Sequence, residues 1–358
     1  MAQIDMSGGV AVERESIVSV KPDEPFWAEN LLFALYDGDT DMGFWLHLGS
    51  VPTEWGMWED RVLVCLPGDD GVLTQWGYYY TPQEKKPAGP NLAFQCIEPF
   101  KKWKVTFDGF MQHVSNADMQ AGLAPDSLRK RIKIDLDIEC VTPCWDAHIS
   151  AHSDGGKGEM TTQSWAKEHY EQMYRATGTV RIEDKLYQKD GGSEKVYTIN
   201  GTGWRDHSRG PRGGNTGEPW GGHVIAGCLF PSGKAFIFSS YWRPDGKITL
   251  SGANVYDADG TIHSAHVVTP PRLTELVMEG EKLPIHLKWD GGEINTTMTT
   301  RRSIWTSMQK RLAVGKDLTD NGLMYVLNFG PCEWDGETGQ VYIERSDPMC
   351  LPLIELKD

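Results

Sequence analysis

The chain has 358 residues, long for one small domain and suited to two. Its 35 basic and 50 acidic residues leave a net charge of −15, which excludes a general nucleic-acid binder and docking on anionic membranes, since both need a basic surface. Hydrophobic residues make up 39%, enough for a core, and no apolar run approaches the ~20 residues of a membrane span.

In chain order the elements are mostly short alternating runs separated by turn residues. The opening "MAQIDMSGGVAVERESIVSV" has no basic start followed by an apolar stretch, so no secretion signal is read and a cytoplasmic location is expected. "LLFALYDGDTDMGFWLHLGS" reads as two strands around Asp37-Gly38, and "RVLVCLPGDDGVLTQWGYYY" repeats the pattern. "RIKIDLDIE" alternates strictly: Ile132, Ile134, Leu136 and Ile138 face one way, Lys133, Asp135, Asp137 and Glu139 the other. That predicts a half-buried strand with one wet face. In "TTQSWAKEHYEQMYRATG", Thr161 or Thr162 suits an N-cap and Trp165, Tyr170 and Met173 fall near helical spacing, which predicts a short helix over 163–174. Further strands are expected in "TGTVRIEDKLY", "HVIAGCLF", "KAFIFSSYW", "ITLSGANVY", "PIHLKWD" and "GLMYVLNFG". Many short strands with few helices predict an all-β chain of sandwiches or closed barrels, and periodicity leaves both open. Two all-β halves of similar length suggest a duplicated architecture, divided at 1–175 and 176–358 with the helix near the junction.

The seven cysteines lack the spacing of a disulfide framework, and Cys140 and Cys144 have no second pair where zinc would need it, so reduced thiols are expected. Tryptophan is in surplus, 14 against 11 phenylalanines. Trp27, Trp45, Trp204, Trp220, Tyr241 and Trp242 suit the lining of a pocket for a large apolar ligand, beside the ordinary alternative of core packing.

Charge gathers in "GTGWRDHSRGPRGG", where glycines predict a loop or tight strand corner around Trp204, Arg205, Asp206, His207, Arg209 and Arg212. Adjacent side chains on a strand point to opposite faces, so Asp206 and His207 share a cavity only at a bulge or turn, which glycines permit. Two readings stand. In one, Arg205 and Asp206 form an ion pair that pins the corner; in the other, Asp206 or His207 transfers protons to a ligand. Glu29 and Glu171-Gln172 lie in apolar, aromatic surroundings, where a glutamate needs a partner, and Arg205 and Arg212 are natural ones. That reading makes Arg205, Arg212, Glu171 and Gln172 an interdomain clasp. Left unneutralised, Glu29 would be a general acid. His148 and His152 lie four apart but without an HExxH pattern or strong helix signals, and His263 and His266 lie near a strand end, so no metal site and no cofactor are expected. There is no phosphate-binding glycine loop and no G-x-S-x-G nucleophile elbow.

"HYEQMYRATGTVRI" followed by "GTGWRDHSRGPR" resembles the tandem lipocalin-like proteins related to carotenoid 1,2-hydratase (hydroxyneurosporene synthase) and the AttH-like group. The matching positions are Glu171-Gln172, Gly201 through Gly210, Glu29 before "NLLF", and Glu344 in the closing "GQVYIERS". The resemblance implies two lipocalin-like β-barrel or half-barrel domains with a ligand cavity near their contact. It also implies hydratases and cofactor-free cyclases acting on terpenoid, steroid or polyketide-like molecules. One position departs from the pattern: Arg209 stands where the group usually has Trp, and a cation there favours an anionic or carbonyl-bearing substrate over a hydrocarbon. The expected function is therefore cofactor-independent acid/base catalysis on a bulky apolar small molecule, as a hydratase/dehydratase lyase or an isomerase/cyclase. Asp206, His207 and Glu29 are the catalytic candidates; the six aromatics and Arg209 are the substrate-binding ones. A non-catalytic carrier of the same kind of ligand is the alternative.

Overall fold

The computed structural model describes residues 4–122, 129–183, 193–212, 217–307 and 324–347. The first half contributes β1 (Trp27–Asp37), β2 (Met42–Ser50), β3 (Met57–Cys65), β4 (Val72–Tyr80), β5 (Leu92–Glu98), β6 (Lys102–Val114), β7 (Arg129–Cys140), β8 (Trp145–Asp146), β9 (Lys157–Gly158), β10 (Glu168–Glu183) and β11 (Glu194–Pro211). Strands β1, β2, β3, β4, β6, β7, β10 and β11 pair in that order, and β11 returns to β1, so the sheet closes into a barrel. Every pairing around it is antiparallel.

The second sheet is built from β12 (Gly222–Leu229), β13 (Ala235–Trp242), β14 (Ile248–Tyr256), β15 (Ile262–Thr269), β16 (Lys282–Trp289), β17 (Gly292–Thr299), β18 (Arg302–Ser307), β19 (Met324–Trp334) and β20 (Glu337–Asp347). Its order is β17-β16-β15-β14-β13-β12-β20-β19-β18, with β9 added at β14. The all-β expectation holds. On β7, Ile132, Ile134, Leu136 and Ile138 are buried while the residues between them face outward. The expected strand ends at 184–187 and 322–323 lie outside the described residues. Among the described residues, no helix is long and apolar enough to cross a membrane.

Three apolar layers follow from strand alternation. Leu31, Phe33, Phe44, Leu46, Val105 and Leu136 fill the first barrel. Val224, Phe236, Phe238, Val255, Ile285 and Ile343 fill the second sheet's concave side. Between the two lies a third layer, where Leu32, Ala34, Trp45, Met173 and Trp204 of the first sheet meet Ile225, Ile237, Tyr241, Phe329 and Tyr342 of the second. Gly227 of β12 makes the approach possible: a Cβ there would lie 2.6 Å from Met173 Sδ and 2.8 Å from Trp204 Cδ1.

The helix expected over 163–174 is absent, because residues 168–174 belong to β10. Short helical turns occur instead at Ala147–Ala151 and Met160–Thr162. Residue 175, the expected division, falls inside β10, whose neighbours β7 and β11 are both in the first sheet; apart from the two-residue β9, which pairs with β14, the chain changes sheet between Pro211 and Gly222.

Candidate functional site

Through Gly201–Pro211 the glycine-rich stretch is strand rather than corner, and Gly213 and Gly214 lie outside the described residues. β11 runs for 18 residues and pairs without a break with β10 up to Arg209 and with β1 from Thr202 to Pro211. Gly203 makes room for a ring: a Cβ there would lie 2.2 Å from Cζ of Tyr174, whose hydroxyl donates to the Ala34 carbonyl at 2.8 Å. With no bulge, adjacent residues face apart. Arg205, His207 and Arg209 point into the first barrel, while Trp204, Asp206 and Ser208 point toward the second sheet. The expected Arg205–Asp206 pair therefore does not form, and Asp206 and His207 do not share a cavity.

Inside the barrel, the 3-10 turn Val12–Glu15 delivers Glu15 beneath β11. Arg205 donates to both Glu15 oxygens (2.9 and 3.2 Å) and to Gln172 Oε1 (3.0 and 2.7 Å). Glu15 also accepts from the Phe100 N–H (2.9 Å), the Trp103 indole (3.2 Å) and the Tyr170 hydroxyl. Burial pushes the Glu15 carboxyl up, but Arg205, Tyr170 and the Phe100 amide outweigh it and hold it below the ordinary range. Gln172 completes the frame by donating to the carbonyls of Thr142 (2.7 Å) and Phe100 (2.9 Å). Arg205 and Gln172 thus form a clasp, but one within the first barrel.

The same interior holds His207, with Nδ1 3.0 Å from the Tyr170 hydroxyl and Nε2 3.4 Å from Glu29. Glu29 accepts from the Val18 N–H at 2.9 Å, so its partners are His207 and backbone rather than Arg205 or Arg212. Arg209 is neutralised by Glu168 (2.9 Å) and lies 3.8 Å from Glu29. Trp27 is half-buried two residues before Glu29 on the same side of β1.

The opposite face of β10 and β11 carries a different cluster, where the two sheets meet. Asp206 Oδ2 lies 3.9 Å from Nδ1 of His169. His169 Nε2 is 2.7 Å from Glu171 Oε1, and the Trp204 indole donates to Glu171 Oε2 at 2.8 Å. Glu171 is fully buried, and burial pushes its carboxyl well above the ordinary range despite the Trp204 bond. Burial lowers His169 to about 4, so the ring is neutral. Asp206 is raised to about 7, first by burial and then by the nearby Glu171 and Glu344, against Arg212, which lowers it. Fourteen per cent of the Asp206 side chain stays exposed, so the group is poised near neutrality yet reachable.

The second sheet supplies the other wall. His223 of β12 lies 3.0 Å from Glu344 Oε1 and 2.6 Å from the Ser346 hydroxyl. Glu344 Oε2 accepts from Tyr342 (2.6 Å) and, across the contact, from the Trp45 indole (3.1 Å). Burial raises Glu344, but His223, Tyr342 and Trp45 together hold it below the ordinary range. Trp45–Glu344 and Arg61–Thr306 are among the polar links that join the sheets, with Arg302–Asp41 another, a role expected of Arg205 and Glu171. Aromatic rings bridge the remainder. Trp165 stacks on Tyr241 at 4.6 Å and meets His169 edge-on at 5.1 Å; Tyr241 stacks in turn on His223 at 5.5 Å. Trp220 closes the corner 5.5 Å from Tyr241. Arg212 donates to Ser208 Oγ at 2.6 Å, and the Asn30 amide, with its oxygen toward Arg212, accepts at 2.6–3.0 Å.

Asp206, Arg212, Asn30, Trp165, Trp220 and Tyr325 are all half-buried, whereas the residues behind them are buried. Among the described residues, Asp206 Oδ1, His169 Nδ1 and the indole nitrogens of Trp165 and Trp220 have no hydrogen-bond partner, and Glu29 Oε1, His207 Nε2 and Arg205 Nη1 inside the barrel have none either. Unpartnered buried polar atoms are uncommon in folded proteins. Of the expected pocket aromatics, Trp45, Trp204, Trp220 and Tyr241 meet here. Trp242 does not: it packs in the second sheet's own core under the Arg272 guanidinium, 4.4 Å from its ring. The reading of the sequence missed His169, Trp165 and His223, whose strand or loop positions carried no distinguishing spacing, and Glu15, which lies far from its partners along the chain.

A family model matches residues 13–349, described as "Domain of unknown function (DUF7064)". The chain belongs to the DUF7064 family. No curated protein matches it. Among solved structures, this DUF7064 chain is similar to a putative AttH from Nitrosomonas europaea, with 11% identity, a TM-score of 0.54, and 92% of this chain and 95% of that one covered. It is also similar to CghA solved with Sch210972, with 10% identity, a TM-score of 0.53, and 92% and 93% covered. Kievitone hydratase from Nectria haematococca matches at 10% identity with a TM-score of 0.48 over 96% of both chains. The matches to the AttH and CghA structures bear out the tandem lipocalin-like fold expected from the resemblance, over nearly the whole DUF7064 chain.

Proposed function

We propose that the protein is a cofactor-independent acid/base enzyme acting on a bulky, mostly apolar small molecule at the contact between the two sheets, by hydration/dehydration, isomerisation or cyclisation. One observation carries this reading: a half-buried carboxyl raised to about 7, Asp206, faces a neutral His169 that is held by Glu171 at 2.7 Å. A group that exchanges protons near neutrality suits general acid/base catalysis. Asp206 transfers the proton to or from the ligand. His169, tied to Glu171 at 2.7 Å, stands 3.9 Å from Asp206 and orders the ligand group between them. Trp165, Trp220 and Tyr241 cover the ligand's apolar body, and Arg212 offers a guanidinium to a carbonyl or anionic oxygen. That CghA is known with Sch210972 supports a ligand-holding use of this fold.

The test is incubation of the wild type and Asp206→Asn with small-molecule extracts of the source cells, followed by mass spectrometry. Conversion of an apolar component by the wild type, to a product isomeric with it or differing by one water, is expected, with the variant binding but not converting it. Binding without conversion by the wild type would make the protein a carrier. Equal conversion by both would remove Asp206 from the chemistry.

A further inference from the structure

A second constellation lies apart from the proton-transfer cluster, in the stretch joining β7 to β10. The helical turn Ala147–Ala151 follows β8 directly, and the Asp146 side chain caps it by accepting from the His148 and Ile149 N–H groups. The cap sets His148 and His152 one turn apart, with their rings 4.6 Å from each other. Glu159 reaches back from the far side of the loop, just after β9, which is tied to β14. Its Oε1 lies 3.3 Å from His148 Nδ1 and its Oε2 lies 3.2 Å from His152 Nε2. One nitrogen from each ring and one carboxylate oxygen all lie within 4.8 Å of one another.

Two further bonds orient these groups. The Nδ1–H of His152 donates to the His148 carbonyl at 2.8 Å, leaving the Nε2 lone pair toward Glu159. Metal-bound histidines are held the same way, the far ring nitrogen donating to a carbonyl or carboxylate. Glu159 Oε1 accepts from the Thr161 N–H at 2.9 Å, which fixes the carboxylate. Neighbouring ligands on a tetrahedral ion with bonds of ~2.0–2.1 Å lie about 3.3 Å apart, close to the distance from each ring nitrogen to the carboxylate oxygen facing it, Oε1 for His148 and Oε2 for His152.

We infer that His148, His152 and Glu159 bind one divalent ion of the imidazole-preferring class, represented by Zn²⁺, with water completing its shell. The rings are half exposed, so the ion enters from solvent. Bound there, it joins the helical turn to the segment beyond β9. That clip steadies the stretch carrying Trp145 and Trp165, which pack on His169 at 6.3 and 5.1 Å. Its role is structural support for that wall, and the proton chemistry does not pass through it.

The test is a calorimetric titration of Zn²⁺ into chelator-stripped full chain, with His148→Ala, His152→Ala and Glu159→Gln beside it. His286→Ala is the control, since that exposed histidine also sits 3.3 Å from a carboxylate, Glu293. The wild type and control should share one bound ion whose affinity falls about tenfold or more in each of the three variants. Binding should weaken as pH falls through the imidazole range, because protons compete for the ring nitrogens. Zn²⁺ should also raise the melting temperature of the wild type and control but not of the three variants. No binding by the wild type, or equal binding by the three variants, overturns the proposal and leaves a histidine–glutamate ion pair only.

Discussion

Asp206 and His207 are neighbours on β11 and face away from each other. Asp206 looks across the sheet contact, 3.9 Å from His169, while His207 sits inside the first barrel between Tyr170 at 3.0 Å and Glu29 at 3.4 Å. The two substitutions should therefore separate. Asp206→Asn keeps the shape and removes the proton, so turnover should fall by ~10²–10⁴ with little loss of stability. His207→Ala leaves Tyr170 and Glu29 without their shared partner and should cost about 1–3 kcal/mol of stability, with turnover per folded molecule retained. Steady-state kinetics beside thermal unfolding decide it; loss of turnover in His207→Ala at unchanged stability would move the chemistry into the barrel.

Asp206 also predicts a pH dependence of stability. Its folded value, about 7, lies above the 3.8 of an ordinary aspartate. The unfolded chain therefore gives up this proton first as pH rises. The group's contribution is fully present below the unfolded value and is lost as pH rises through about 7. Asp206→Asn removes this loss, so the variant should gain stability relative to the wild type between pH 4 and 8, by a few kcal/mol at most. Denaturant titrations of both proteins across that range measure it.

The half-exposed strand β7 was legible because one face is wet and its alternation survives in the sequence. β10 was not, for the opposite physical reason. From His169 to Tyr174 every residue is buried, since one face fills the barrel and the other meets the second sheet. With no polar-out positions, Trp165, Tyr170 and Met173 read equally well as a helix. β11 hid its geometry in the same way, and its glycines, read as turn signals, serve close ring packing at Gly203. The candidate residues Asp206, Glu171, Trp204 and Tyr241 were nevertheless named from composition and resemblance alone. Their sorting onto two faces required the register. Glu15 carried no local sign of its partner 190 residues away.

Glu15 and Arg205 make the opposite pH prediction. Glu15 is held below the ordinary carboxylate range, so its stabilisation is present above that range and is lost as pH falls through the folded value. Glu15→Gln leaves a buried guanidinium without its counter-charge and should cost ~3–5 kcal/mol at neutral pH. The difference from the wild type should shrink in acid. Urea unfolding at neutral and acidic pH checks both statements.

The sheet contact itself can be tested at Gly227. A branched side chain there must displace Met173 and the rigid Trp204 ring, which donates to Glu171. Gly227→Val should destabilise the chain by ~1–3 kcal/mol and disturb the Asp206 cluster without touching it. Thermal unfolding and ligand binding should both respond; an unchanged melting temperature would mean the sheets are not packed as described.

The most direct measurement is the ionisation of Asp206 itself, followed by carbon-13 NMR of the side-chain carboxyl in uniformly labelled protein, with Asp206→Asn assigning the signal. A proton-transfer group set by burial, Glu171 and Glu344 should titrate with a midpoint near 7. A midpoint in the ordinary aspartate range would show a solvated or ion-paired carboxylate and contradict the assignment of Asp206 as the group that exchanges protons with a ligand.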